Sequence, residues 1–215
     1  HRSQLYNTHL LNMKKFLKLT FVFGILFGFA CKAENQEILD IQDNDFFIGS
    51  NEAPITIIEY ASMSCSHCAD FHNNTLDDLK AEYIDTGKVK FVFRDFPFNY
   101  PALAGSMMMR CVPNDVRYDY MNGLYMLQKN WVFRDHNKTR TELYKIMQSG
   151  GMKQADFDAC LSDINLENDL LEGVMSAQRN LNIRSTPSFV INGVLYSGNK
   201  NIKEFRQIID IILSQ

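Results

Sequence analysis

The chain has 215 residues, 46% hydrophobic and 22% charged, which is enough apolar content for one sizeable core. Its 22 Lys and Arg against 25 Asp and Glu give a formal charge of −3, unevenly spread: residues 1–33 hold five basic and no acidic side chains, leaving 17 against 25, or −8, for the rest. An acidic body of this kind excludes a nucleic-acid partner.

In chain order, Met13-Lys14-Lys15-Phe16-Leu17-Lys18 is a basic start, and Leu19–Ala30 is an apolar run too short to span a bilayer. Small residues then stand at −3 and −1 of two cleavage points, Gly28 and Ala30 or Cys31 and Ala33. This pattern is a secretory signal peptide, preceded by an upstream extension over residues 1–12, and it places the mature protein in the periplasm. Lipid attachment at Cys31 is the alternative, although Gly28 stands where a lipoprotein signal prefers Leu. Residues 1–33 are therefore set apart from the fold, and residues 34–215 read as one domain with an insertion.

Asp45–Gly49 reads as a short edge strand and Asn51–Pro54 as a turn into a central one, Ile55–Ala61. That run is apolar throughout with β-branched residues leading it, as in a strand covered on both faces. A turn through Ala61–Ser64 leads to Cys65-Ser66-His67-Cys68 at the start of a helix, on which Phe71, Leu76, Leu79 and Tyr83 recur at helical spacing. Thr86-Gly87-Lys88 closes the helix, and Val89–Arg94 is a third strand. Between Pro101 and Asn180 the periodicity is helical: Ala102–Cys111, Asp115–Lys129, Thr139–Ser149, Lys153–Leu161 and Leu166–Asn180 each carry an apolar stripe. Met107, Met108, Met109, Met121 and Met126 are expected in the core of this block, with a Met-lined peptide groove as the alternative. Asn192-Gly193 then joins Ser188–Ile191 to Val194–Ser197 as a hairpin, and Ile202–Leu213 forms a last helix burying Phe205, Ile208, Ile209 and Ile212. The order is β-β-α-β, a helical block, then β-β-α.

Strand, turn, Cys-x-x-Cys and helix form the layout of a thiol–disulfide site. Residues i and i+3 on a first helical turn lie about 5–6 Å apart, within reach of a disulfide. Unpaired N–H groups and the macrodipole favour a thiolate at Cys65 over a thiol, and the imidazole of His67 is expected to add to that effect. Stabilising the thiolate stabilises the reduced form and makes the disulfide a better oxidant. Glu59, six residues before Cys65, is a carboxylate in the middle of an apolar strand. It reads as a buried acid that exchanges a proton with Cys68, or else as an outward-facing side chain at a strand end. Cys-x-x-Cys is also half a zinc knuckle, but no second pair stands at knuckle spacing. A copper or zinc carrier using Cys65, Cys68 and His67 or His72 stays open, as do two inert core cysteines. Beyond residue 33 four cysteines remain, so Cys111 and Cys160 form either a structural disulfide or two buried free thiols.

With Glu59 before Cys65-Ser66-His67-Cys68, the segment Phe91-Val92-Phe93-Arg94-Asp95-Phe96-Pro97, and Ser185-Thr186-Pro187 before a hairpin, the chain resembles the DsbA-type thiol:disulfide oxidoreductases. It is most similar to the α-proteobacterial-type branch, which shares FRDFP-like and RC-containing segments. The resemblance implies an α/β fold: a thioredoxin-like mixed sheet flanked by helices (about 45–97 and 181–213) with an all-helical insertion after the third strand (about 98–180). By the same resemblance Cys65 is the exposed nucleophile, Cys68 the buried resolving cysteine, Glu59 the buried acid, and Thr186-Pro187 a loop whose cis-proline faces the site. Ser66 stands where many such oxidases have Pro, which frees one N–H and loosens the turn. The activity implied is donation of the Cys65–Cys68 disulfide to cysteine pairs of secreted proteins, with reoxidation by a membrane quinone-linked partner. A monomer without a dissociable cofactor or metal is expected. An isomerase or reductase of the same fold is the main alternative; such isomerases dimerise through an N-terminal domain, for which Glu34–Asn44 is too short.

Overall fold

The computed structural model describes residues 45–215, so the signal peptide, the upstream extension and Cys31 lie outside the described residues. Five strands, β1 (Phe46–Ile48), β2 (Ile55–Ala61), β3 (Val89–Asp95), β4 (Ser188–Ile191) and β5 (Val194–Ser197), form one sheet in the order β1-β3-β2-β4-β5. β2 runs parallel to β3 and antiparallel to β4, which puts the most apolar strand at the centre. β1 and β5 close the two edges by antiparallel pairing. Asn192 at φ 44° and Gly193 at φ 87° make the two-residue turn between β4 and β5, a conformation that suits the Asn-Gly pair.

Register fixes which side chains meet. Ile57 lies between Phe91 and Ile191, and Glu59 lies between Phe93 and Phe189. The face that carries Glu59 is covered by α1 (Ser66–Asn74), whose Phe71 ring sits 4.9 Å from Phe189, 5.9 Å from Phe91 and 5.7 Å from Phe205. Phe205 comes from the last helix, α9 (Ile202–Leu213), so four rings from four elements seal the sheet beneath the helix. On α9, Phe205 and Ile209 are fully buried, whereas Ile208 and Ile212 are only partly so.

The first helix is less regular than its apolar spacing implies. Thr75 departs from helical dihedrals, at φ −128° and ψ −37°, and ends α1. A short α2 (Leu76–Leu79) follows and passes into a π turn over Lys80–Ile84, where Asp85 N–H donates to Lys80 O at 2.8 Å. Leu76, Leu79 and Tyr83 stay buried throughout, so the apolar stripe survives a change of helical pitch that periodicity alone does not reveal.

The insertion after β3 is helical: α3 (Tyr100–Cys111), α4 (Asn114–Met126), α5 (Gln128–Trp131), α6 (His136–Ser149), α7 (Gln154–Leu161) and α8 (Ile164–Asn180). Three of these, α3, α6 and α8, start two or three residues before the stretch their apolar spacing marks, because a cap, not a core contact, sets the boundary. Asn99 accepts from Ala102 N–H at 2.9 Å, Asp135 from Asn137 and Lys138, and Asp163 from Asn165 and Leu166. The stretch read as a single helix over Asp115–Lys129 breaks at Leu127, at φ −94° and ψ 13°. Met126 is correspondingly not core: Met121, Leu124 and Tyr125 form the buried stripe of α4, and Met126 falls off it, 73% exposed. Met107, Met108 and Met109 are buried on α3.

A disulfide joins Cys111 at the end of α3 to Cys160 on α7, 49 residues apart. Closing a loop of that length removes about 4 kcal/mol of unfolded-chain entropy in the chain-entropy model. Paired substitution of Cys111 and Cys160 by Ala is expected to lower unfolding free energy by about that much, measured in urea without reductant. Close packing of the insertion on the sheet depends on Gly105, where a Cβ would meet Met63 Cβ and Trp131 Cη2, each at 2.9 Å. Gly105→Ala is expected to cost about 1–3 kcal/mol and to disturb Met63, two residues from Cys65; urea midpoints and the Cys65 thiolate titration check both effects.

Candidate active site

The turn after β2 is tied down before any chemistry begins. Gln128 Nε2 donates to both Met63 O and Cys65 O at 3.0 Å, and Ser64 Oγ donates to Asn99 Oδ1 at 2.9 Å. Cys65 is the N-cap of α1, extended at φ −81° and ψ 122°, with Cys68 on the first helical turn. The Thr186–Pro187 peptide bond is cis, and in its thiol form Cys65 donates to Thr186 O at 3.4 Å. The structure thus brings Cys65, Cys68, Thr186 and Pro187 to one place from two separate parts of the chain. Both active-site cysteines are free thiols here.

The two sulfurs occupy opposite environments. Cys65 is half-buried, and its pKa falls from 9.0 to about 5. The hydrogen bond from the Cys68 thiol contributes most; burial opposes it, and the Thr186 side chain and the main-chain N–H groups of Cys68 and His67 add to the lowering. Cys68 is fully buried, and its pKa is pushed far above the ordinary thiol range. Burial is the main cause, followed by its donation to Cys65 and the negative charge of Glu59, against one N–H from Ser62 at 3.5 Å. One thiolate and one protonated thiol are what asymmetric disulfide exchange needs.

Glu59 is fully buried in β2, and its Oε2 lies 2.9 Å from His72 Nε2, with neither side chain more than 1% exposed. The His72 ring stacks on Tyr125 with centroids 4.0 Å apart. His72, raised from the sequence only as a metal-ligand candidate, is committed to Glu59. The signal for this was its place four residues after Cys68, on the same helical face. Gln128 left no such signal, because it depends on the break at Leu127. His67 acts differently from the expectation: its side chain is exposed and makes no hydrogen bond among the described residues, while its main-chain N–H serves the thiolate. Phe98, Met126 and Leu127, all exposed, lie close in sequence to the two tethering residues Asn99 and Gln128.

Residues 42–211 match the family model described as Thioredoxin. In structure the chain is similar to alpha-DsbA1 of Wolbachia pipientis, with TM-score 0.78 and 30% identity over 84% of this chain and 96% of that one. The chain belongs to the DsbA-type branch of the thioredoxin family. Among other relatives, it is 29% identical over 181 residues to a candidate protein-disulfide oxidoreductase of Rickettsia conorii, covering 81% of this chain and 62% of that protein. It therefore spans less than two thirds of the rickettsial relative's length. Disulfide bond formation protein D of Bacillus subtilis is 24% identical over 176 residues, 76% of this chain and 74% of that protein. The DsbA-type fold, with its helical insertion after the third strand, is the architecture expected from the motifs.

Two measurements follow from the charge asymmetry. Because main-chain groups at His67 act on Cys65, His67→Ala is expected to leave the Cys65 titration near its parent position. His67→Pro, which removes the N–H, is expected to raise it; thiolate absorbance at 240 nm against pH separates the two. Cys65 also links stability to pH in the reduced protein. Its folded pKa of about 5 lies below 9.0, so its contribution is full above about 9 and is lost as pH falls through about 5. Urea midpoints of the reduced parent and reduced Cys65→Ser should therefore converge as pH is lowered to about 5.

Proposed function

We propose that this protein is a thiol:disulfide oxidoreductase that donates the Cys65–Cys68 disulfide to cysteine pairs of secreted proteins in the periplasm. The observation that carries the reading is the paired environment of the sulfurs: a half-buried Cys65 that is a thiolate at neutral pH beside a buried Cys68 that stays protonated. A substrate thiolate attacks the disulfide at Cys65 Sγ, and the Cys68 sulfur leaves with the bonding electrons and takes a proton. A second substrate thiolate then attacks the substrate's own sulfur in the mixed disulfide, releasing Cys65 as a thiolate. Glu59, buried beneath Cys68, is the acid that exchanges the proton. The cis Thr186–Pro187 turn faces Cys65 and offers main-chain groups to an extended substrate segment.

A stable Cys65 thiolate favours the reduced protein and so makes the disulfide an oxidant. The Cys111–Cys160 bond supports residence in an oxidising compartment. Reoxidation falls to a membrane quinone-linked partner, and the protein acts as a monomer without a dissociable cofactor. The test is trapping: Cys68→Ser should accumulate mixed disulfides with reduced secreted proteins through Cys65, whereas Cys65→Ser should not. Equal behaviour of the two variants would reverse the reading. Equilibration against glutathione distinguishes oxidase from reductase, since a potential near the thioredoxin value of about −270 mV would assign the protein to reduction.

A further inference from the structure

Beneath the site lies a partly open cavity of about 30 Å³, room for about two water molecules. Its polar lining is His72, Arg94, Asp95, Arg110, Arg117 and Tyr125, and it includes neither Cys65 nor any residue of the Thr186–Pro187 turn. Arg110 Nε donates to Asp95 Oδ2 at 2.9 Å, and both side chains are 17% exposed, so this wall reaches solvent. At the inner end, His72 Nε2 is held by Glu59, while its other ring nitrogen, Nδ1, is buried with no hydrogen-bond partner. Arg117 Nε is buried and unpartnered in the same way.

We propose that His72 is the positioning residue of a proton route that runs from this cavity through its imidazole to Glu59 and so to Cys68. The inference rests on the reading of Glu59 as the acid that exchanges a proton with Cys68. The need for such a route is geometric. A substrate joined to Cys65 covers the exposed face of the site, and Cys68 and Glu59 are both fully buried behind it. The cavity includes none of Cys65, Thr186 and Pro187, and the His72 ring spans from its lining to the Glu59 carboxyl group.

The step balances as follows. Attack of the substrate thiolate forms one S–S bond at Cys65 and breaks the Cys65–Cys68 bond, whose electron pair leaves on Cys68 Sγ. The Cys68 thiolate takes the proton of the Glu59 carboxyl. His72 Nε2–H restores that proton, and Nδ1 takes one from water in the cavity, so one proton enters from solvent per disulfide opened. Reoxidation runs the same path outward. The charged and titratable groups around the ring are Glu59 on β2, Cys68 on its own helix and Tyr125 on α4. Arg94 and Asp95 on β3, Arg110 on α3 and Arg117 on α4 stand across the cavity.

The experiment is single-turnover oxidation of a dithiol peptide by the full oxidised chain, acid-quenched between pH 5.5 and 8.5. His72→Ala should slow opening of the Cys65–Cys68 disulfide about tenfold or more. Added imidazole should restore the rate, and pyrazole, of the same shape but hardly basic, should not. Glu59→Gln should be slow and indifferent to imidazole. Should His72→Ala fail to fold, His72→Gln keeps a hydrogen bond to Glu59 but cannot carry a proton, and it must be equally slow with a parent-like urea midpoint. Rescue by pyrazole as good as by imidazole would make His72 a space-filler and overturn the proposal. A fast His72 variant beside a slow Glu59→Gln would also overturn it, leaving the role of Glu59 intact. A fast Glu59→Gln would remove the reading beneath it, and the route with it.

Discussion

The hydrogen bond from the Cys68 thiol to the Cys65 sulfur is the constraint on which the site depends. It is the largest influence lowering Cys65, and it exists only while Cys68 keeps its proton. Cys68 keeps it because the sulfur is buried, which the sheet, the Phe71 cluster and α4 together ensure. The redox asymmetry is thus a property of the core as much as of the Cys-x-x-Cys segment. Loosening the packing below Cys68 would let water reach its sulfur and weaken the thiolate above it, with no change in either cysteine.

Burial of Glu59 follows from register. A shift of one residue in β2 would turn the carboxylate to the other face and put Ile58 or Tyr60 in its place. Parallel pairing on one side and antiparallel pairing on the other hold that register, with Phe93 and Phe189 as direct neighbours. An acidic side chain that a sheet would ordinarily reject is accommodated by one imidazole, and the remaining carboxyl oxygen, Oε1, has no hydrogen-bond partner among the described residues.

The fold was legible in the sequence because its signals are local. The apolar run of Ile55–Ala61, the Asn-Gly turn and the helical stripes each depend on a few neighbouring residues; the first two lie where the patterns put them, and the stripes do so apart from the break at Leu127 and shifted helix starts. The cysteine pair and Glu59 were legible for the same reason. What escaped depends on contacts distant in the chain. Gln128 reaches Cys65 from 63 residues away, through a helix break that the apolar spacing of α4 does not announce. His72 carried a clear positional signal, but its partner could be chosen only once β2 and α1 were stacked. His67 was misjudged because proximity in sequence suggested a side-chain role, whereas the ring points to solvent and the amide acts.

The two hydrogen bonds of Gln128 have a mechanical consequence. They fasten the helical insertion to the main chain on either side of the nucleophile's turn, at Met63 O and Cys65 O. Swinging the insertion outward as a lid would tear the very segment that aims the reactive sulfur. Phe98 and Met126, both exposed, stand outside that clamp, close in sequence to the tethering residues Asn99 and Gln128. The aim of the reactive sulfur is thereby tied to the seating of the helical insertion.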